Sequence, residues 1–400
     1  MTMLNDRDII VFSDDWGRHP SSCQHLIGQL LPTNRVVWVN TIGMRSPQIS
    51  IYDIKRCFEV AAGWCSKAPE TERCQLHPNL TVTSPVMIPY NQFTLIRRFN
   101  RSSVKRSVGS LIEKRGMKKP LVITTFPCTC DYVGTLGESL HVYYCVDDFV
   151  NWPDVDLELI RSMEDLLIDR SGLVLASAEA LCDAKQRGGK RPLLLPHGVD
   201  FEHFNAACGK TERPVELKGI PQPIIGFFGA ISAWVDLDLL VELATLRPQW
   251  SFVLIGPVDT DASVLQGVPN IHLPGKVPYA RLPEYAACFD VGIIPFQVND
   301  LTKSVNPLKL FEYLALGLPV VSSFMPEVAK YRDLIAIAGN RSEFLACLDE
   351  ALAGNTAQLR QKRIDAARSN SWRAVAERFS AMVNVAEGEG AVSHDHGTRS

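Results

Sequence analysis

Short apolar runs alternate with helical patterns along most of this 400-residue chain. Apolar runs with few charged residues are typical of parallel strands that are buried on both faces, and the helical patterns between them are typical of crossover helices. The sequence therefore predicts an α/β protein built on open parallel sheets. The predicted strands are residues 8–12, 35–40, 121–126, 142–146, 173–176, 224–228, 252–255, 271–273, 291–295 and 319–322.

The alternation is interrupted once, at residues 191–222, where the string PLLLPHGVDFEHF is followed by a stretch rich in Lys, Glu and Pro. We predict that these residues form an interdomain connection. Because 400 residues exceed one ordinary hydrophobic core, we predict two Rossmann-like, doubly wound domains at residues 1–190 and 223–368. Residues 369–387 are predicted to form a terminal helix and residues 388–400 a disordered tail. Open parallel sheets bind ligands beyond the carboxyl ends of their strands, so we expect the active site in a cleft that the two domains face.

Composition argues against several classes of protein. A formal net charge of -3 disfavours a nucleic-acid binder, which needs a concentrated basic surface. The eleven cysteines include no CxxC pair, and Cys57, Cys65 and Cys74 are not spaced as two close pairs of zinc ligands. Early charged residues and the lack of a long apolar segment predict a cytoplasmic protein without a secretory signal or a membrane-spanning helix.

The segment NPLKLFEYLALGLPVV, residues 306–321, carries the clearest functional pattern. Asn306 is suited to the N-cap of a helix and Pro307 to its first position, while Gly317 is suited to a left-handed C-cap. Lys309 and Glu312 are three residues apart and project from one face near the helix start. Free N–H groups and an ammonium there favour a diphosphate, and a carboxylate one turn further can accept hydrogen bonds from ribose hydroxyls. The alternative is that Lys309 and Glu312 form a surface ion pair.

Several strings occur in the order that a known family shows. NPLKLFEYLALGLPVVSS resembles the carboxyl-terminal donor motif of GT-B glycosyltransferases, specifically the group 1 bacterial sugar transferases that include teichuronic-acid and exopolysaccharide enzymes. LPHGVDFEHF, IIGFFGAISAWVDLDLL, FVLIGP and NIHLPGKVPYARLPEYAACFDVGIIPF also resemble that group. The resemblance extends from residue 142 to about residue 379 and is weak before it.

The resemblance implies roles for individual residues. Glu312 would bind the donor ribose, and Lys309 and the amides of residues 304–306 would bind the phosphates. The backbone of residues 275–277 would lie along the edge of the base. Gly229 would let its strand approach the diphosphate closely. The donor-binding residues expected on this basis are Gly229, Gly256, Lys276, Val277, Lys303, Ser304, Asn306, Pro307, Lys309, Leu310 and Glu312.

Two departures from the family pattern affect this assignment. Ser304 stands eight residues before Glu312, where the family commonly has a second Glu that touches the donor sugar, so the sugar is not predicted. The sequence AISAWVDLD follows Gly229 where the family commonly has Arg and Lys. Lys309, then Lys303, then an arginine of the first domain are the expected sources of positive charge for the phosphates.

Acceptor-side candidates follow two predicted strands of the first domain. Asp147 and Asp148 come directly after residues 142–146, and one of them, with a slight preference for Asp147, is expected to activate the acceptor hydroxyl. The alternative is that both carboxylates cap the loop. Asp15, Trp16, Arg18 and His25 follow the first strand; Trp16 offers a face for a sugar ring and Arg18 a charge for an anion, unless they are a core Trp and solvated charges.

Residues 97–119 contain nine basic residues and one acidic residue, Glu113. Val104, Val108, Leu111 and Ile112 fall on one helical face, so this segment is either an ordinary helix with a solvated basic side or a helix that contacts an anionic membrane. A membrane contact would bring the protein to a polyprenyl-linked acceptor.

The resemblance implies a glycosyltransferase without a metal or other cofactor. We predict transfer of a sugar from a UDP-sugar to a hydroxyl of a glycan or lipid-linked acceptor in cell-envelope or exopolysaccharide synthesis. Two alternatives stay open: a nucleotide-sugar 2-epimerase with the same two-domain plan, and a nucleotide-sugar-binding protein without catalysis.

Overall fold

A computed structural model describes residues 3–18, 20–44, 77–152, 155–209 and 212–396. The chain folds as two compact units, one comprising residues up to Leu195 together with those from Ala376 onward, and the other Pro196–Val375. Cys57, Cys65 and Cys74 lie outside the described residues.

The first unit is built on one parallel sheet with the strand order β3-β2-β1-β4-β5-β6-β7 among the described residues. Its strands are β1 (Asp8–Ser13), β2 (Arg35–Asn40), β3 (Leu80–Thr83), β4 (Leu121–Thr124), β5 (Leu140–Cys145), β6 (Leu173–Ala176) and β7 (Leu193–Leu194). Its helices are α1 (Ser22–Leu30), α2 (Thr94–Arg115), α3 (Leu157–Arg170) and α4 (Glu179–Ala184).

The second unit has a parallel sheet with the order β10-β9-β8-β11-β12-β13 within the described residues. Its strands are β8 (Ile224–Phe228), β9 (Ser251–Ile255), β10 (Ile271–Gly275), β11 (Val291–Ile294), β12 (Val320–Ser323) and β13 (Ala336–Ala338). Its helices are α5 (Phe201–Asn205), α6 (Leu237–Leu246), α7 (Leu282–Ala286), α8 (Asp300–Lys303), α9 (Leu308–Ala315), α10 (Pro326–Ala329), α11 (Arg341–Ala353) and α12 (Ala357–Ser369).

The predicted pair of Rossmann-like sheets is confirmed, and burial explains why the strands were recognisable. In β1 the four residues Ile9, Ile10, Val11 and Phe12 have no exposed surface, because crossover helices cover both faces of a parallel sheet. Three strands were missed in the sequence, namely β3, β7 and β13. β3 (LTVT) alternates apolar and polar residues, β7 has only two residues and β13 only three, so none of them forms an extended apolar run.

The terminal helix, α13 (Trp372–His396), begins in the second unit and continues in the first. Ser380 Oγ accepts a hydrogen bond from the Leu4 N–H at 3.1 Å, and Glu387 forms a two-pronged ion pair with Arg7 at 2.8 and 2.5 Å. The predicted disordered tail at residues 388–400 is corrected, because the helix continues to His396. Backbone hydrogen bonding extends past Gly388 and Gly390, although glycine lowers helix propensity. Among the described residues, no helix is long and apolar enough to cross a membrane.

Candidate active site

The candidate donor site lies in the second unit, at the carboxyl edge of its sheet. The order of the strands reverses between β8 and β11, which pair directly through Ile225 and Val291. Ligands of open parallel sheets bind at the carboxyl end of such a switch point. Gly229 follows β8 there, Phe296 lies just past β11, and α9 starts at the same edge before it leads to β12.

Glycines bring the loops at this edge close together. The Gly229 N–H donates to the Ile255 carbonyl at 2.8 Å, and the Gly256 N–H donates to the Gly275 carbonyl at 3.0 Å. Gly256 has φ +151°, and a Cβ on it would collide with the Gly229 carbonyl. A side chain at residue 256 would therefore push apart the loops that follow β8 and β9.

Gly229 also leaves room for the side chain of Lys309. Its φ is +128°, and a Cβ there would overlap the Lys309 Cε and lie 2.8 Å from Nζ. The sequence predicted that this glycine would admit a diphosphate. The structure gives it a second role, because the path of the lysine to the carboxyl edge passes over the glycine.

Helix α9 starts one residue later than predicted. Pro307, with ψ 117°, is the N-cap, and Leu308 is the first helical residue, so Asn306 is not the cap. The extended ψ of Pro307 keeps this residue out of the first turn, so the first helical residue is Leu308 and Asn306 lies one position before the cap. The predicted end is confirmed, since Gly317 is left-handed at φ +73°, and its N–H and that of Leu318 bond to the carbonyls of Leu314 and Tyr313.

Tyr313 fixes α9 to the two central strands. Its ring packs on Gly292 of β11, where a Cβ would lie 2.8 Å from Cγ. Its hydroxyl accepts from the Phe228 N–H at 3.3 Å and lies 3.3 Å from the Ile293 carbonyl. The helix start is thereby held against the switch point, so the positions of Lys309 and Glu312 follow from the packing of the core.

The Lys309 ammonium lies between two aromatic rings. Its Nζ is 5.4 Å from the ring centre of Phe227 and 5.2 Å from that of Phe296. The rings stabilise a cation but do not satisfy its N–H groups. Burial lowers the pKa of the Lys309 ammonium, and the nearby Glu312 carboxylate only partly opposes this shift.

The Glu312 carboxyl group is also desolvated. Burial raises the pKa of Glu312 to about 7; the Lys309 charge acts in the opposite direction, and the Asp200 carboxylate raises the pKa further. Burial likewise raises the pKa of the Tyr279 phenol, with Glu312 and Asp200 adding to it. Asp200, Tyr279 and Glu312 therefore form one electrostatically connected group within the second unit.

The predicted alternative of a surface ion pair is wrong for these two residues. Lys309 and Glu312 are half-buried, and no ion pair or hydrogen bond to either side chain is formed by the described residues. A half-buried cation and a half-buried carboxyl group without partners are costly in the free protein. A ligand that brings an anion to Lys309 and hydroxyl donors to Glu312 would compensate both.

The other predicted donor-binding residues differ in their surroundings. Leu310 is buried in the core, and Pro307 is buried at the N-cap. Lys303 is exposed and pairs with Asp300 at 2.9 Å. Half-buried positions are occupied by Ser304, Asn306 and Val277, whereas Lys276 is exposed after β10.

Sequence reasoning missed five residues around this site. Phe227 and Phe296 lie on either side of the ammonium, and Asp200 and Tyr279 interact electrostatically with the carboxyl group. His203 Nε2 lies 3.0 Å from the Tyr279 carbonyl. Asp200 and His203 lie in the recognised string LPHGVDFEHF, which offered a signal. The two phenylalanines read as ordinary strand residues, and no local pattern distinguished them.

The two candidate carboxylates of the first unit have different surroundings. Asp148 is 6% exposed and accepts from Lys185 Nζ at 3.1 Å and from Asn151 Nδ2 at 2.7 Å. Lys185 also donates to Glu164 at 2.8 Å. Burial alone would lower the pKa of Lys185, but the attraction of Glu164 raises it above its ordinary value. Asp148 thus belongs to a buried ion cluster that the sequence did not predict.

Asp147 is half-buried and holds no ion-pair partner among the described residues. Its Oδ1 accepts from the Asp148 N–H at 2.8 Å. Burial raises the pKa of the Asp147 carboxyl group, while hydrogen bonds from the Asp148 N–H and the Trp152 side chain oppose the shift. Asp147 is therefore the member of the pair that lies outside the buried ion cluster.

The loop after β1 contains the remaining acceptor-side candidates. Trp16 is half-buried and packs edge-on against Trp38 at 4.8 Å, and its N–H donates to Asn40 Oδ1 at 3.1 Å. Asp15 and Arg18 form a partly exposed ion pair at 3.6 Å. His25 is half-buried on α1. The Trp16 ring thus packs on one side against the buried Trp38, and the remainder of the ring lies where β1 ends, at the carboxyl edge of the sheet.

Comparison with solved structures identifies the fold class. HepE of Anabaena in complex with UDP-glucose superposes with a TM-score of 0.64 and 13% identity, covering 94% of this chain and 99% of that one. The α,α-trehalose 6-phosphate synthase of Burkholderia multivorans gives 0.65 and 13%, covering 96% and 100%. These likenesses, with the strand orders above, define a GT-B fold.

The sequence comparisons match the second unit to a known family. Residues 222–358 match the family model described as glycosyl transferases group 1. TuaH of Bacillus subtilis (strain 168), which bears the name of a teichuronic acid biosynthesis glycosyltransferase, is 29% identical over 228 residues. That match covers 54% of this chain and 57% of TuaH, so the chain spans little more than half the length of this curated relative.

Proposed function

We propose that the protein is a glycosyltransferase that moves a sugar from a UDP-sugar to a hydroxyl of a glycan or lipid-linked acceptor in cell-envelope or exopolysaccharide synthesis. One observation carries the donor assignment: an ammonium and a carboxyl group, both half-buried and without hydrogen-bond or ion-pair partners in the described part of the chain, stand one turn apart where α9 begins. The family match and the nucleotide-bound relatives support the same assignment.

The geometry suits each part of a nucleoside diphosphate. The phosphates would meet Lys309 and the free N–H groups at the start of α9, where the helix dipole favours an anion. The ribose hydroxyls would donate to the Glu312 carboxylate. As the bond to the sugar breaks, negative charge grows on the diphosphate, and a lysine already held in place between Phe227 and Phe296 stabilises that charge.

On the acceptor side we assign the proton-accepting role to Asp147. A raised pKa brings a carboxylate closer to the range in which it removes a proton effectively at neutral pH. Trp16 offers an aromatic surface to a sugar ring at the same edge of the first sheet. We propose that the reaction needs no metal or other cofactor, since Lys309 provides the positive charge for the leaving group.

A panel of nucleotides tests the donor assignment. UDP, GDP, dTDP and ADP are each added to the full chain and the melting temperature is recorded, because a ligand that binds only the folded state raises it. We expect the largest rise with UDP, and no rise in Glu312→Gln. The matched control is Glu284→Gln on α7, an exposed position in the same unit. An undiminished UDP response in Glu312→Gln would refute the ribose assignment.

Ser304 favours one second candidate, a nucleotide-sugar-binding protein without catalysis, because the carboxylate that commonly touches the donor sugar is absent. Donor consumption separates the two functions. Release of UDP from a UDP-sugar in the presence of acceptor extracts supports transfer. UDP binding without release from any of a set of UDP-sugars supports the binding protein.

The proposal extends to location. We propose that the enzyme works at the cytoplasmic face of a membrane on a polyprenyl-linked acceptor and that residues 97–119 meet anionic lipid. The support is the positive charge of α2, where the side chains of Arg98, Arg101, Lys105 and Arg106 are exposed and form no ion pair with the residues that the structure describes.

A further inference from the structure

An exposed apolar cluster precedes and begins α2. Phe93 is 55% exposed, Leu95 77% and Phe99 48%, and Val86 and Tyr90 of the preceding loop are also exposed. Scattered apolar residues are normal on a protein surface, but five within 14 positions form a group of the kind that marks an interaction site.

The cluster is held in a fixed conformation. The Asn100 side chain, which is buried, accepts from the Ile88 N–H at 2.8 Å and donates to the Ile88 carbonyl at 2.9 Å. The opposite face of α2 packs Val104 and Val108 into the core of the first unit. The loop and the helix start are therefore fixed from beneath, and the apolar side chains on top stay in water.

Positive charge surrounds the cluster. The side chains of Arg98, Arg101, Lys105 and Arg106 are exposed and have no ion-pair partner among the described residues. Arg97, in contrast, faces inward and binds Asp131 through two contacts at 2.7 and 3.0 Å. The first turn of α2 has neither an acidic residue nor a side-chain cap. An anionic partner would supply the negative charge that a helix start favours.

A groove extends from this surface along the helix. It has a volume of about 670 Å³, and its lining includes Lys105, Arg106 and, at the far end, the carboxylate of Glu113, all on α2, together with Thr135 and Leu136 of the loop before β5. Leu95, Phe99, Ser102 and Arg106 recur at helical spacing, so the apolar cluster and the groove share one stripe of α2. One flat surface can thus contact both groups at once.

We propose that this stripe docks the protein on an anionic lipid bilayer. The docking surface consists of the apolar residues Val86, Tyr90, Phe93, Leu95 and Phe99 and the basic residues Arg98, Lys105 and Arg106. The apolar side chains enter the boundary between head groups and acyl chains, α2 lies along the bilayer plane, and the groove at Lys105 and Arg106 takes a lipid phosphate. The assignment goes beyond a basic helix, because insertion rather than charge alone holds the protein.

Docking in this way would orient the first unit. The loop from β3 to α2 lies at the carboxyl edge of the sheet, since a crossover helix runs back toward the amino edge. Asn40 links this loop to the candidate acceptor site, because it donates to Ser84 Oγ at 3.0 Å and accepts from the Trp16 N–H at 3.1 Å. The edge that carries Trp16 is then brought to the lipid surface. This step rests on the proposed function, which makes the acceptor lipid-linked.

Co-sedimentation of the full chain with vesicles tests the surface. Vesicles of phosphatidylcholine are compared with vesicles that also contain phosphatidylglycerol, at low and high salt. We expect tight binding only to the anionic vesicles, about fivefold weaker for each of Lys105→Ala and Arg106→Ala at low salt. Leu95→Ser with Phe99→Ser should weaken binding by more than tenfold at both salt concentrations, because salt screens charge but not burial of apolar surface.

Matched controls lie in the second unit. Leu246→Ser with Val264→Ser removes two apolar side chains that are about half exposed, and Lys218→Ala with Lys362→Ala removes two exposed charges. Both controls should bind vesicles like the wild type. Wild-type binding by the Leu95/Phe99 variant would overturn insertion. A second result would also overturn the proposal: inorganic phosphate displaces the wild type from vesicles, and the Leu95/Phe99 variant still binds them. That result would show a site for a soluble anion.

The melting temperature with and without UDP keeps the two proposals separate. A docking variant that melts like the wild type and still responds to UDP is folded, so its vesicle result bears on the surface alone. If UDP does not raise the melting temperature of the wild type, the donor assignment is wrong, but the vesicle result still stands.

Discussion

Replacing Glu312 with Gln should make the unliganded protein more stable and should also abolish its binding of UDP. The pKa of Glu312 is raised from 4.5 to about 7 by burial, so the ionised form is disfavoured in the folded state. The contribution of such a group to the free energy of unfolding is largest below pH 4.5. It decreases as the pH rises toward 7 and does not recover at higher pH. A shift of this size corresponds to about 3 kcal/mol above pH 7.

The variant removes the ionisation and keeps the size of the side chain. At pH 8 it should be more stable than the wild type by up to about 3 kcal/mol, which for a unit of this size raises the melting temperature by about 6–12 °C. At pH 5 most of the carboxyl groups of Glu312 are protonated in the folded wild type, so the difference should fall below about 1 kcal/mol. Thermal melting and urea unfolding at the two pH values measure the effect.

Binding should change in the opposite direction. A carboxylate accepts hydrogen bonds on both oxygens, whereas the amide of Gln has one acceptor oxygen and an N–H₂ group that faces a hydroxyl donor unfavourably. The control Glu284→Gln should change neither stability nor UDP binding, because Glu284 is exposed. An equal stability difference at pH 5 and pH 8, or a Glu312→Gln protein that is no more stable at pH 8, would refute the account of a strained, ligand-ready carboxylate.

Three further substitutions test neighbouring features. Lys309→Met should leave the fold intact, since it replaces a desolvated ammonium by an apolar chain, but should weaken UDP binding about tenfold or more. Isothermal titration calorimetry measures the affinity for UDP. An unchanged affinity would contradict the role of Lys309 in phosphate binding. Gly229→Ala should destabilise the protein by about 1–3 kcal/mol and weaken UDP binding, because the new Cβ overlaps Lys309. The control is Gly219→Ala, which changes another glycine with positive φ at a position where a Cβ meets no other atom. Lys185→Met should cost about 3–5 kcal/mol in urea unfolding, because Asp148 and Glu164 lose their shared cation, whereas the exposed Lys190→Met should cost little; equal costs would show that the cluster contributes no stability.

Local physical chemistry made much of this protein readable before its structure. Residues 9–12 and 224–228 are apolar throughout, and only strands buried on both faces need such runs. The spacing of Lys309 and Glu312 on one helical face followed from the period of the helix, and Gly317 marked its end because few residues other than glycine take its φ. The basic stripe of α2 was visible for the same reason, since helical spacing is a local property.

Tertiary structure decided what those residues meet. Phe227 and Phe296 are 69 positions apart in the sequence, and only the pairing of β8 with β11 brings their rings to either side of Lys309. The pKa of Glu312 depends on Asp200, which is more than 100 positions away. Lys185, Glu164 and Asp148 converge from three separate elements to form a buried cluster without any sequence motif.

The helix cap and the exposed apolar cluster show the same division. Asn306 has the right side chain for an N-cap, but Pro307 takes the position, because its backbone is extended in the folded chain and the helix starts only at Leu308. Phe93, Leu95 and Phe99 are residues that usually enter a core, and the sequence alone could not place them on the surface. Sequence fixes periodicity and backbone preference, which act over a few residues. Burial and the electrostatic environment depend on the order of strands in the sheet, so they become known only when the chain is folded.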